Sequence, residues 1–403
     1  MTWTPPPPRA GHPYYMHDAI YAQPGALRLV TRGQGDLIAG AASRLRAMDR
    51  VLLSGIGTSW HATLVGELLL AHVARLGHRV RALHSFEFKG YWPDPDARTG
   101  VVVVSHRGSK RYSVEALAKA RAGGGVGVAI TGKGAEGLAS ADYVLRTVDQ
   151  ERSAAHTVSY TTALALLAAL AAAIGDDDDI AHEMDAIPDQ LALLLGQESW
   201  TELAARFADR GRYWFVGGGP NTATAYEAAL KMSEANHATA LGLNCEQFLH
   251  GPWAALEPDD VVFLIALPGP AYERCLAIAG VAKEVGAPVV ALVREDDRAI
   301  APLAAETIAI PPVSELLSPI LTVVPLQLFT YHLALRRGVN PDTMRGDQPA
   351  HGRARAGLTL ESTSGGATPL PLTSPTGHPQ RPPPESSCAG EAGARTVVAR
   401  RAP

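Results

Sequence analysis

The sequence predicts an α/β chain: two doubly wound parallel-sheet domains in tandem, with helices on both faces of each sheet. Two observations carry this. Short, continuously apolar runs (51–54, 101–104, 126–131) are each followed by a loop and then a helical pattern, and strands apolar on every residue belong to parallel sheets covered on both sides. The pattern then recurs at nearly the same intervals. Successive strands start at 51, 101 and 126, intervals of 50 and 25, and again at 213, 261 and 289, intervals of 48 and 28. Two copies of one unit is the economical account.

In order along the chain, strand 51–54 runs into Gly55-Ile56-Gly57-Thr58-Ser59 and a helix to about residue 75. Strand 101–104 runs into Ser105-His106-Arg107-Gly108, with a helix from about 113. Strands 126–131 and 142–146 and an alanine-rich helix over 154–174 complete the first half. The longest apolar run, 163–174, falls short of the roughly 20 residues a membrane span needs, so it reads as a buried helix. Four acids at 176–179 mark the turn into a linker helix. In the second half, strand 213–216 meets Gly217-Gly218-Gly219-Pro220-Asn221 and a helix to about 238. Strand 261–267 meets Pro268-Gly269-Pro270 and another helix, then come strand 289–293 and a last helix over 316–335. Residues 1–13 and 362–403 are proline-rich and poor in large apolar residues, and are expected to be disordered tails. That leaves domains at 14–180 and 181–361, the second including the linker helix and a C-terminal segment.

Composition narrows the function. Lys and Arg total 36 against 40 Asp and Glu, a net charge of −4, which leaves no basic surplus for a phosphate backbone and speaks against a nucleic-acid binder. Cys245, Cys275 and Cys388 lack metal-ligand spacing and are too few for a disulfide scaffold. With no signal-peptide pattern at the start, a cytoplasmic protein with no membrane attachment is expected.

In open parallel sheets ligands bind beyond the carboxyl ends of strands, where helix N-termini present free N–H groups. Gly57-Thr58-Ser59 and Ser105-His106-Arg107-Gly108-Ser109 sit at such ends, and their hydroxyls and Arg107 suit an anion. The chain has no GxxxxGK[ST] loop and no GxGxxG after a first strand. Alone, Gly217-Gly218-Gly219 reads as a tight turn. A second constellation is Glu227, Lys231 and Glu234, at i, i+4 and i+7 on one helical face, with Glu246-Gln247-Phe248-Leu249-His250-Gly251-Pro252 downstream. For a helix taken alone, a solvated face with one ion pair is the plain reading. Its place after a glycine loop, and His250 on a Gly-Pro turn, favour proton transfer at neutral pH.

Together, residues 54–62 (SGIGTSWHA), 227–234 and 246–252 resemble the sugar isomerase (SIS) domain family, in the tandem, flavodoxin-like form found in the isomerase half of glucosamine-6-phosphate synthase. The likeness runs from about residue 16 to 361, and Asn340-Pro341-Asp342 and Asp347-Gln348-Pro349 resemble the family's closing segment. The resemblance implies a phosphosugar site. Thr58, Ser59, Ser105 and Ser113 match phosphate-binding residues, with Arg107 as an extra partner. Glu234 matches the base that moves a proton between C1 and C2. His250 matches the histidine that opens the sugar ring, delivered in this family by a neighbouring subunit of a homodimer. Lys231 and Glu227 match the polar face beside the base, and Glu151 a glutamate at the start of the long helix. It further implies chemistry that needs no metal or cofactor.

The departures are specific. The family loop Ser-Gln-Ser-Gly-Glu-Thr is replaced by Ser105-His106-Arg107-Gly108-Ser109-Lys110, which predicts a more cationic pocket. After Asp347-Gln348-Pro349 the chain offers Arg353 and Arg355 where the synthase has an imine-forming lysine. No N-terminal cysteine or glutaminase domain is seen, so an ammonia-fed or partner-fed fructose-6-phosphate aminotransferase, with a separate amidotransferase, stands as the alternative to an aldose–ketose isomerase or amino-sugar-6-phosphate deaminase or deglycase. A non-catalytic phosphosugar sensor is the third reading.

Overall fold

The computed structural model describes residues 6–197 and 199–358. The expected tail over 362–403 lies outside them. Three short helices, α1 (Tyr15–Tyr21), α2 (Gln23–Val30) and α3 (Gly35–Arg46), lead into β1 (Arg50–Gly55), α4 (Thr58–His72), β2 (Val80–His84) and α5 (Ser85–Gly90). Then follow β3 (Thr99–Ser105), α6 (Arg111–Ala122), β4 (Val126–Thr131), β5 (Tyr143–Arg146) and α7 (Val158–Gly175). Helices α8 (Asp178–Leu195) and α9 (Trp200–Arg206) connect to β6 (Tyr213–Gly217), α10 (Asn221–Ala235), β7 (Ala240–Asn244) and α11 (Cys245–Leu249). The second half continues with β8 (Val261–Ala266), α12 (Tyr272–Val285), β9 (Val289–Arg294), β10 (Glu306–Ile310), α13 (Ser318–Arg336) and α14 (Pro349–Ala356).

Both sheets are five-stranded and parallel throughout, in the orders β2-β1-β3-β4-β5 and β10-β9-β8-β6-β7. Read from its other edge, the second order is the first. This is the tandem doubly wound architecture expected. The edge strands β2, β7 and β10 escape an apolar-run search because each mixes exposed or half-buried residues with buried ones, as a strand flanked on one side only is free to do.

The duplication extends to backbone angles. Gly57 and Gly219, two residues past the ends of β1 and β6, hold φ of +55° and +53°. Both lie just ahead of the helix that packs back on its strand. Gly217-Gly218-Gly219 is therefore the structural copy of Gly55-Ile56-Gly57. A methyl group on Gly55 would collide with the backbone of Ser59, and one on Gly217 with that of Asn221, the residue four on in each case.

Alternation along the strands divides the core. Val51, Leu53, Val102 and Val104 of the first sheet, and Tyr213, Phe215 and Phe263 of the second, belong to one continuous cluster with α7, α10 and α13. Leu52, Val101 and Val103 face a separate core, and Trp214, Val216 and Leu264 a third. The two halves thus share their inner core. Helices α7 and α13 have the length and apolarity of a membrane span, yet 83% and 89% of those stretches are buried inside the protein. The C-terminal segment fastens this assembly: the Asp342 carboxylate accepts the N–H groups of Tyr15 (2.8 Å) and Met16 (2.9 Å), and its carbonyl that of Ala154 (3.0 Å). Residues 9–13, read from the sequence as tail, lie against this region, with Asn340 Nδ2 donating to the Arg9 carbonyl (3.0 Å) and His12 Nδ1 2.8 Å from the Tyr331 hydroxyl.

The strand-end glycines yield a test. Gly55→Ala and Gly217→Ala should each cost about 1–3 kcal/mol in chemical denaturation, the usual range for overpacking. Gly25→Ala in α2, where nothing lies within 4 Å of the new methyl, should be neutral or slightly stabilising. Equal effects at all three positions would contradict the collision.

Candidate functional site

The site begins where α4 of the first half meets α10 of the second. Glu227, Lys231 and Glu234 share a face of α10, as their spacing requires, but the face is not solvated: Glu227 and Lys231 are 0% and 1% exposed. Lys231 Nζ lies 3.3 Å from Glu227 Oε1, donates to Thr58 Oγ1 at 3.0 Å, and pairs with Glu234 Oε2. The Thr58 hydroxyl in turn donates to Glu227 Oε1 (3.0 Å), and His61 Nδ1 stands 2.7 Å from Glu227 Oε2. One ammonium therefore serves two carboxylates, and two residues of the other half complete the network. Removing one partner of such a buried set strands the others at several kcal/mol.

The two carboxylates are driven apart. Burial pushes both upward, but Lys231 and His61 outweigh it at Glu227, which ends below the usual carboxylate value. At Glu234 burial prevails over the pull of Lys231, and the neighbouring Glu227 charge adds to it, so its pKa ends raised. Unequal acids side by side are suited to proton transfer at the weaker one.

Beside this network, Thr58, Ser59, Val104, His106, Thr147, His156, Ser159 and Tyr160 line a cavity at the carboxyl ends of β1, β3 and β4. Ser105 closes β3 and is buried, and Ser113, in the first turn of α6, is buried with its hydroxyl unpartnered. Arg107 Nη2 donates to the Glu151 carbonyl (3.2 Å). The Glu151 carboxylate accepts the N–H groups of Thr157 (3.0 Å) and Ser159 (2.9 Å) and so caps the start of α7. Burial raises its pKa against those hydrogen bonds.

His106 does not make the pocket more cationic. Its Nε2 accepts the Glu151 N–H (3.1 Å), which places the ring proton on Nδ1, 3.2 Å from Thr147 Oγ1. Burial holds its pKa at about 3, with Arg107 adding to the effect. It is a neutral latch between the β3 loop and the segment ahead of α7. The expectation of added charge from this residue is corrected on that ground.

His250 follows α11 and is 75% exposed at its side chain, with Nε2 3.1 Å from Glu246 Oε2, which also pairs with Arg274. Among the described residues it forms no hydrogen bond or ion pair with Glu234, which pairs with Lys231. Arg353 and Arg355 lie on exposed turns of α14. In the second half, the crevice matching the first holds a side chain: Glu315 reaches over Gly219 and Gly269, where added methyls would sit 3.2 Å from its Oε1 and 2.6 Å from its Cδ.

Sequence reasoning passed over His61, His156 and Tyr160. His61 was findable, being three residues beyond Thr58 on the same helix face. Tyr160 sits inside an alanine-rich stretch that signals only burial.

The SIS domain family matches residues 44–173 and 206–337, the two sheet units just described. The chain belongs to the SIS family. Among relatives, the glutamine–fructose-6-phosphate aminotransferase (isomerizing) of Thermococcus kodakarensis is 31% identical over 349 residues, covering 84% of this chain and 58% of that protein. The chain thus spans a little over half the length of the curated relatives it matches. Among solved structures, the C-terminal domain of glucosamine-fructose-6-phosphate aminotransferase from Francisella tularensis superposes with a TM-score of 0.72 at 19% identity, over 82% of this chain and 99% of that one. Tagatose-6-phosphate ketose/aldose isomerase from Escherichia coli gives 0.72 and 19%, over 85% and 97%. Both likenesses are of fold.

The latch predicts a pH signature. His106 is neutral when folded down to about pH 3, whereas the unfolded chain takes up its proton near pH 6.5. Stability contributed by the neutral ring is complete above pH 6.5 and is lost as pH falls. His106→Gln should flatten the loss between pH 6 and 4 by up to one proton, about 1.4 kcal/mol per pH unit. Thermal melts across that range check this, and an unchanged slope would contradict a neutral latch.

Proposed function

We propose that the protein is a SIS-type phosphosugar enzyme, an aldose–ketose isomerase or a deaminase or deglycase of amino-sugar 6-phosphates. The observation that carries this reading is the buried Glu227–Lys231–Glu234 array joined through Thr58 to the strand-end cavity. Glu234 is the general base. It moves a proton between adjacent carbons through a cis-enediol or enolamine, and Lys231 keeps its carboxylate ionised against burial. The substrate phosphate rests on Ser59, Ser105 and Ser113 with Arg107 nearby. Thr58 contributes through its backbone, because its hydroxyl proton is already given to Glu227. His250 opens the ring from a second subunit of a cytoplasmic homodimer, a role its exposed position supports.

An aminotransferase acting on fructose 6-phosphate, fed with ammonia by a separate amidotransferase, is the second reading. The names of relatives such as that of Thermococcus kodakarensis favour it. The absence of any lysine beyond Lys283 counts against an imine on this chain's closing segment.

A panel of hexose and hexosamine 6-phosphates, with and without ammonia and followed by NMR, separates the two. Glu234→Gln should lower kcat by about 10²–10⁴-fold or more while substrate still binds; full activity in that variant would refute the assignment. The acid limb of kcat should lie above the ordinary carboxylate range, since Glu234 must be ionised and its pKa is raised. In Lys231→Met, which removes the opposing charge, that limb should move to still higher pH. A limb that stays put or moves down would separate Lys231 from the base.

A further inference from the structure

Tyr160 stands in the first turn of α7, 1% exposed, and its hydroxyl has no hydrogen-bond partner. Its side chain lines the cavity that also holds Thr58, Ser59 and His156. A buried hydroxyl without a partner costs free energy that a phenylalanine of the same shape would avoid. The surrounding protein does not use it. Glu227, whose charge and the burial of the ring hold the phenol protonated, already has Thr58 and Lys231 on one oxygen and His61 on the other. His106, which also lines the cavity, has both ring nitrogens occupied. His156 lies edge-on to it at 5.1 Å between ring centroids and makes no side-chain hydrogen bond of its own among the described residues.

The cavity wall thus offers a ligand two uncommitted neutral groups, with His156 beside His106 of the β3 loop. We propose that the Tyr160 hydroxyl, with the His156 imidazole beside it, selects ligands by hydrogen-bonding a hydroxyl on the sugar's carbon chain. This deepens, and rests on, the reading of the cavity as a sugar-phosphate site. Polar groups poised for a substrate hydroxyl discriminate strongly against an analogue that lacks it, because they are then left buried and unpaired.

The experiment is calorimetric binding of hexose 6-phosphates and their monodeoxy analogues to the intact protein and to Tyr160→Phe, with melts of both free proteins. The variant should melt at the same or a higher temperature, yet bind the parent sugar phosphate about 5- to 150-fold more weakly, the usual worth of one such bond. For one monodeoxy analogue, the ratio between the two proteins should collapse to unity. Equal binding of the whole panel by both proteins would overturn the inference, as would a destabilised variant with unchanged affinity, which would mark the hydroxyl as structural. The monodeoxy series on the unaltered protein is a second check: if no single hydroxyl is worth this factor, the inference fails. Should the unaltered protein bind no hexose phosphate at all, the underlying reading fails, and the inference with it; failure of the inference alone shows only in the variant and the deoxy series.

Discussion

Everything at this site hangs on one ammonium. Lys231 is buried between Glu227 and Glu234 and bonded to Thr58 from the other half of the chain. A lone buried charge would be prohibitive, and two carboxylates facing each other without a cation nearly so. With Lys231 in place the three charges are tolerable only together, and only while α4 stays against α10. Fold and site are thereby coupled: the pairing that opposes the burial of Glu234 also joins the two sheet units, which already share one apolar core.

The halves are copies in topology and even in the φ of Gly57 and Gly219, yet they have diverged in what they carry. The first half supplies the hydroxyl-lined cavity, the His106 latch and the Glu151 cap. The second supplies the Glu227, Lys231 and Glu234 face of α10. Neither half alone contains both.

Much of this was legible in the sequence, for physical reasons. Apolar parallel strands announce themselves because both their faces are buried, so the tandem fold and its repeat could be read from 51–54, 101–104, 213–216 and 261–267. The spacing of Glu227, Lys231 and Glu234 placed them on one face. Whether that face met water or another domain depends on tertiary packing that no local pattern encodes. The same limit explains His106: three basic residues within five positions read as charge, but burial and two hydrogen bonds made one of them neutral. The edge strands β2, β7 and β10 stayed silent because an edge needs no continuous apolar run.

Glu315 gives the duplication a further meaning. Its carboxylate lies over Gly219 and Gly269, where the second half's strand-end loops would otherwise stand open to an anion. A group tethered to the chain a few residues ahead of α13 is held there at a high effective concentration. The second crevice is thus covered from within by a side chain of the same chain. Two copies of one fold therefore differ at their strand ends: the first keeps a cavity lined by Thr58, Ser59 and Tyr160, and the second is covered by a single glutamate.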